Sequence, residues 1–225
     1  MRIFAIETSS NSASAAIYEN GVIKGELIIN NGEKHSKTLG VLCESLFKYC
    51  ALSPKDIDYY AVSKGPGSFT GIRIGIAQIK GLAFPFDTKC IAVSTLEAAA
   101  MPLRNSGKII CAVMDARANR VYNALFKSEG GKLIRLTSDR VMEISALKDE
   151  IEAMDNEVYF VADAAKMCAE KINGTVFAGE EYMLTKASEI ALLANENISE
   201  AVDASVLSPM YLSLPQAVRK QTEEK

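Results

Sequence analysis

The feature that most narrows the folds open to this chain is a repeat in the order of its elements. Residues 3–7 (IFAIE) form an apolar run, TSSNS makes a polar turn, 13–18 alternate as a returning strand, and Asn20-Gly21 turns the chain into a third strand at 22–29. A helix follows at 37–50, where Leu39, Leu42, Cys43, Leu46 and Cys50 fall at helical spacing. Then come an apolar strand at 59–63, a glycine turn, a second helix and a strand at 90–93. A short helix, TLEAAAM, starts at Ser94 or Thr95, and with Ser94 as the cap Glu97 is the acid of a capping box. From Lys108 the order restarts. IICAVMD stands where IFAIE stood, ARAN replaces TSSN, 120–126 returns as a strand, Gly130-Gly131 supplies the turn, and 132–141 is a third strand. A helix at 144–154, VYFVA in the place of YYAVS, a helix at 164–172, a strand at 175–178 and a helix at 185–195 complete it. Both halves read βββαβαβα at an offset of about 100 residues. With 225 residues and 48% hydrophobic content the chain can bury the cores of two such units. The expectation is an α/β protein with one lobe at 1–104, a smaller one at 105–207, and a tail at 208–225 whose polar end frays.

Charge and cysteine usage exclude several classes. The 25 basic and 28 acidic residues are dispersed, so strong nucleic-acid binding by this chain alone is not expected. Five cysteines, an odd number without a CxxC pair, read as reduced, buried thiols. No apolar run approaches the roughly 18 to 20 residues of a membrane span, and the opening strand follows no basic leader. The expected address is the cytoplasm.

Residues 59–84, YYAVSKGPGSFTGIRIGIAQIKGLAF, are the most unusual stretch. A buried strand runs into a turn on Gly65, Pro66 and Gly67, and a helix opens near Ser68 or Thr70. Gly71, Gly75 and Gly81 lie inside that helix, each at a cost of about 1 kcal/mol against alanine. Gly71 and Gly75 share a face, which lets another backbone approach closely. Ile72, Ile76, Ile79 and Ala83 supply an apolar face, while Gly71, Gly75, Gln78 and Leu82 adjoin it. Two readings stay open at this point, packing within the core and docking of an external partner.

Candidate chemistry is sparse. In a duplicated fold of this kind the first hairpin of each half faces a cleft where nucleotide phosphates can bind, with a carboxylate for the metal. The first half offers Glu7, Thr8, Ser9 and Ser10; the second offers Asp115, Ala116 and Arg117. They read either as polar turns at a cleft or as a weak, relict phosphate site. GPGSFTG lacks the P-loop Lys-Ser/Thr, and its glycines are one residue out of register with the dinucleotide fingerprint, so it reads as a turn and cap. His35 is the only histidine, which rules out HExxH and HxxxH motifs within this sequence. No GxSxG elbow accompanies any serine.

At GPGSFTGIRIGIAQIKGLAF the chain resembles the TsaB (YeaZ-like) family, a subunit required to make threonylcarbamoyladenosine in tRNA. The likeness extends to AIETSSNSASAAI, the HS before the first helix, AVSTLEAAA, AVMDARANRVYNALF and PMYL, nearly the whole chain in order. The resemblance implies an ASKHA (actin-like ATPase) fold of two duplicated RNase-H-like lobes. It implies a non-catalytic subunit, with no catalytic residue, metal ligand or cofactor of its own, that binds the catalytic paralogue TsaD as a heterodimer. A TsaE-like ATPase joins the assembly, and tRNA is reached only through it. The first-lobe helices are the implied docking elements, with Leu39, Leu42, Leu46, Gly71, Ile72, Gly75, Ile76 and Ile79 as the interface neighbourhood. A homodimer of the isolated chain is left open. Glu7 departs from the aspartate usual in the first turn of ASKHA proteins, which weakens a nucleotide role. The alternative is a stand-alone ASKHA-type kinase or ATPase using Glu7 and Asp115 around a magnesium nucleotide.

Overall fold

Strand β1 (Arg2–Glu7) is buried from Ile3 onward, so it has to lie inside a sheet covered on both faces. One edge pairs antiparallel with β2 (Ala13–Glu19), which pairs with β3 (Val22–Ile29). After α1 (His35–Tyr49) the other edge takes β4 (Tyr59–Gly65) in parallel, and after α2 (Phe69–Ala83) the sheet ends in β5 (Lys89–Ser94). Helix α3 (Thr95–Ala100) leads out of this lobe. The second half repeats the path. β6 (Ile109–Asp115), β7 (Arg120–Glu129), β8 (Lys132–Arg135) and β9 (Arg140–Glu143) precede α4 (Ile144–Glu152). β10 (Val158–Val161), α5 (Ala165–Ala169), β11 (Thr175–Phe177) and α6 (Ala187–Glu196) follow. The sheet orders are β3-β2-β1-β4-β5 and β8-β7-β6-β10-β11, with β9 also on β7. The duplication read from element order is thus present in the strand order. The structure, a computed structural model, describes residues 1–212; the rest of the expected tail lies outside the described residues.

Strand alternation fixes the layers. Phe4 and Ile6 face α1 and α2, while Ile3 and Ala5 face α6. In the second sheet Cys111 and Val113 face α4 and α5, while Ile110, Ala112 and Met114 face α3. The result is α1 and α2, sheet, α3 and α6, sheet, α4 and α5. Helix α3 belongs to both cores: Ala98 packs with the first sheet, Leu96, Ala99 and Ala100 with the second. Alanine is what a helix needs at positions squeezed from two sides. All five cysteines are free, four of them buried.

Three features depart from the sequence reading. Helix α6 and the residues after it follow the second lobe in the chain but pack on the first. Ile190, Ala191 and Ala194 cover the first sheet, Val202 pairs with Cys90 through backbone bonds of 2.8 and 2.9 Å, and Leu207 enters the core beneath α1 and α2. The division at residue 104 therefore follows chain order, and packing returns the C-terminal part to the first lobe. The strand expected over 132–141 is broken into β8 and β9. Phe126 lies opposite Arg135 but Asn123 opposite Arg140, so this side carries two extra residues, and the Leu125 carbonyl accepts from both Leu136 and Thr137. Finally, Ser94 does cap α3, accepting from the Glu97 amide at 3.2 Å, but the Glu97 carboxylate turns away to Arg135.

Because α3 has no free face toward either sheet, Ala98→Leu is expected to overpack the layer and cost about 1–3 kcal/mol, measured as a lower midpoint in urea unfolding.

Candidate functional site

The turn that leaves β1, read from the sequence as a polar turn or a weak phosphate site, packs within its own lobe. Glu7, Thr8 and Ser9 are buried. Glu7 bends back so that its Oε1 accepts from the Ser9 amide and the Ser9 hydroxyl, both at 2.5 Å. Its Oε2 is buried without a hydrogen-bond partner among the described residues, as is the Ser63 hydroxyl. Burial raises the Glu7 carboxyl pKa above its ordinary value, and the bonds from the Ser9 hydroxyl and amide offset this only in part.

Helix α2 closes the turn from above. Gly65 and Gly67 adopt positive φ values of 113° and 151°, and Gly67 passes so close to Ser9 that a Cβ there would lie 2.5 Å from its carbonyl oxygen. The same Ser9 carbonyl accepts from the Ser68 amide at 2.7 Å, and the Ser68 side chain caps the helix by accepting from the Gly71 amide at 3.2 Å. Thr8 Oγ1 donates to the Gly71 carbonyl at 2.9 Å. A Cβ on Gly71 would lie 2.0 Å from the Thr8 carbonyl oxygen, and one on Gly75 would lie 2.4 Å from Thr8 Oγ1. The backbone that approaches this glycine face is therefore the β1–β2 turn. His35 opens α1 and its Nε2–H donates to the Ser10 carbonyl at 2.9 Å, so the single histidine ties the turn to the first helix.

The proposed interface side chains need correction on the same ground. Leu39, Leu42, Leu46, Gly71, Ile72, Gly75, Ile76 and Ile79 are all buried inside this chain. They build the core, and the outward faces of the two helices carry other residues. These are Gly40, Val41 and Glu44 on α1, Val41 being 63% exposed, and Arg73, Ala77 and Gly81 on α2. Asp115 in the second lobe is exposed; its carboxylate accepts from the Arg117 amide at 2.7 Å and its own amide donates to Asp163 at 3.0 Å. Glu7 and Asp115 thus have separate hydrogen-bond partners. No group of three His, Cys, Asp or Glu side chains converges among the described residues.

One participant escaped the sequence reading. Tyr211 stacks on Phe69 with ring centroids 4.7 Å apart, and Arg73 lies over the Phe69 ring at 3.9 Å while its Nε donates to the Tyr211 hydroxyl at 2.6 Å. With the Met210 amide on the Lys64 carbonyl at 2.7 Å, this straps the start of the expected tail across the glycine turn. The PMYL motif was the available signal.

With the geometry in view, comparison with known proteins is specific. Residues 27–221 match the family model described as TsaD: tRNA N6-adenosine threonylcarbamoyltransferase. The chain is 32% identical to the tRNA threonylcarbamoyladenosine biosynthesis protein TsaB of Bacillus subtilis (strain 168), over 99% of both chains. Among solved structures it is similar to YeaZ from Pseudomonas aeruginosa, with a TM-score of 0.80 at 24% identity, covering 94% of this chain and 99% of that one. It is also similar in fold to the activator of the 2-hydroxyisocaproyl-CoA dehydratase from Clostridium difficile, with a TM-score of 0.53 at 15% identity over 89% and 96%. The duplicated ASKHA-type fold is the fold observed.

Two measurements probe the sealed turn. Gly75→Ala must displace Thr8 and is expected to cost about 1–3 kcal/mol, whereas Gly81→Ala, with nothing within 4 Å of its Cβ, should gain up to about 1 kcal/mol; thermal or urea unfolding reads both. Glu7 has a higher pKa folded than unfolded, so its favourable contribution is full below about 4.5 and is lost as pH rises through the folded value. Glu7→Gln is accordingly expected to be more stable than the parent at neutral pH and to lose that advantage toward pH 4.5, as measured by unfolding across the pH range.

Proposed function

The chain belongs to the TsaB family of tRNA threonylcarbamoyladenosine biosynthesis proteins, and from that membership we propose that it is the non-catalytic subunit supporting a TsaD-like paralogue. The paralogue transfers the threonylcarbamoyl group to adenosine 37 of ANN-decoding tRNAs, and this chain binds it as a heterodimer. A TsaE-like ATPase joins the assembly, and tRNA is met through the complex. The observation that carries this reading is the sealed turn. Glu7, Thr8 and Ser9 are buried and bonded within their own lobe, with Gly71 and Gly75 packed against Thr8. A protein that keeps the lobes of an ASKHA enzyme and closes its phosphate turn is suited to offer surface.

The surface we assign is the outward side of α1 and α2, centred on Val41 and Ala77, with Gly40 and Gly81 allowing close approach of another helix. The buried leucines and isoleucines beneath hold those two helices in place. Val41→Arg and Ala77→Arg are both expected to leave the melting temperature unchanged and to weaken co-purification with the paralogue by at least about tenfold; retention of both at parental levels would refute the surface. Reconstitution of tRNA modification from purified paralogue and ATPase, with and without this chain, tests the role itself. Modification is expected to fall to background without it, and full modification in its absence would overturn the reading.

A further inference from the structure

Around the rim of α3, side chains from both lobes close on one another. Ser94 Oγ, which caps α3, also donates to Asp139 Oδ2 at 2.6 Å. Arg135 donates to Asp139 Oδ1 at 2.5 Å and to Glu97 Oε2 at 2.6 Å, and its guanidinium lies 4.7 Å from the centroid of the Phe126 ring. Ser94 and Glu97 belong to the first half of the chain, Arg135 and Asp139 to the second. Two bonds therefore cross between the halves, one from Ser94 and one from Arg135. A cleft of about 430 Å³ lies alongside, bordered by these four residues together with Lys64 and Met210.

Both departures from regular structure described for this region serve that contact. The capping box is given up because Glu97 reaches Arg135 instead of returning to the Ser94 amide. The two-residue bulge between β8 and β9 swings Asp139 back beside Arg135, with the Thr137 hydroxyl taking over the Leu125 amide at 2.9 Å. An exposed ion pair contributes little, but the Asp139 side chain is only 7% exposed. Separating the halves would break both crossing bonds, and removing Arg135 would take the ion-pair partner from a largely buried carboxylate and leave it the Ser94 hydroxyl, which is disfavoured.

We infer that Arg135, Asp139, Glu97 and Ser94 form a latch that, with α3 between the sheets, holds the two lobes in one fixed relation, so that the cleft does not open and close. This goes beyond the partner role and does not depend on it. In a fold whose two lobes share one helix layer, the latch fixes the edge that a hinge would need to free. Arg135 acts here as a positioning residue.

Amide hydrogen exchange on the full-length chain, at residues 94–100 and 136–139, tests the latch. In Arg135→Ala, which loses both the crossing bond to Glu97 and the ion pair to Asp139, these amides are expected to exchange at least about tenfold faster than in the parent, and in Glu97→Gln, which only weakens the bond to Arg135, by a smaller factor. The amides of β1 and β2 are expected to stay within about twofold of the parent in both variants. Unchanged exchange at 94–100 and 136–139, or an acceleration spread evenly through β1 and β2, would overturn it. Where Arg135→Ala does not fold, Glu97→Gln decides by the same criteria.

Discussion

The first lobe depends on how closely α2 can approach the turn after β1. The Thr8 carbonyl and hydroxyl occupy the space where side chains would stand at Gly71 and Gly75, and the Ser9 carbonyl occupies that of Gly67. Three glycines thus serve one contact, and the helix-propensity cost of two of them is offset by a hydrogen bond from Thr8 to Gly71 and by the fit of Ile72, Ile76 and Ile79 into the core. The same approach buries Glu7. A carboxylate carried to the end of a central strand and then covered must be neutralised or hydrogen-bonded, and Ser9 supplies two bonds to one of its oxygens. The other oxygen is covered without a partner among the described residues, and burial of the group is why the carboxyl holds its proton more tightly there than in water.

Much of this was legible in the sequence, because it rests on local rules. The strand alternation, the Asn20-Gly21 hairpin, the Ser94 cap and the spacing of Leu39, Leu42 and Leu46 each report a short-range constraint, and the order of elements recurs across both halves. The glycine face of α2 was also legible as a place of close approach. Its occupant was not, since spacing along a helix shows that room exists and not which chain fills it. Interface and core likewise call for the same apolar residues, so Leu42 or Ile76 cannot be assigned to one or the other by pattern. The return of α6 to the first sheet and the Tyr211 stack are contacts between distant parts of the chain, and the β8–β9 bulge has no glycine or proline at its centre to mark it. Their residues look ordinary until the fold brings them together.

The layer between the two sheets shows how a duplicated chain becomes one molecule. Each half on its own would leave one sheet face bare. In the first half that face carries Ile3, Ala5 and Ile91, and in the second Ile110, Ala112 and Phe126. Helix α3, leaving the first lobe, and helix α6, returning from the second, cover them, so each half supplies part of the other's core. Burial on this scale cannot be undone by a modest domain movement, because opening would expose apolar area on both sheets at about 25 cal/mol per Å².

That arrangement and the sealed turn point the same way. Here the turn carries a buried acid, two buried hydroxyl residues and a helix pressed against them, while the outward side of that helix remains exposed at Arg73, Ala77 and Gly81. Moving α2 away from Thr8 would displace Ile72 and Ile79 from the core and carry the exposed face with them. The packing that buries this turn is therefore the packing that holds the outer helix face in position. A movement of α2 that loosened the turn would also shift that exposed face.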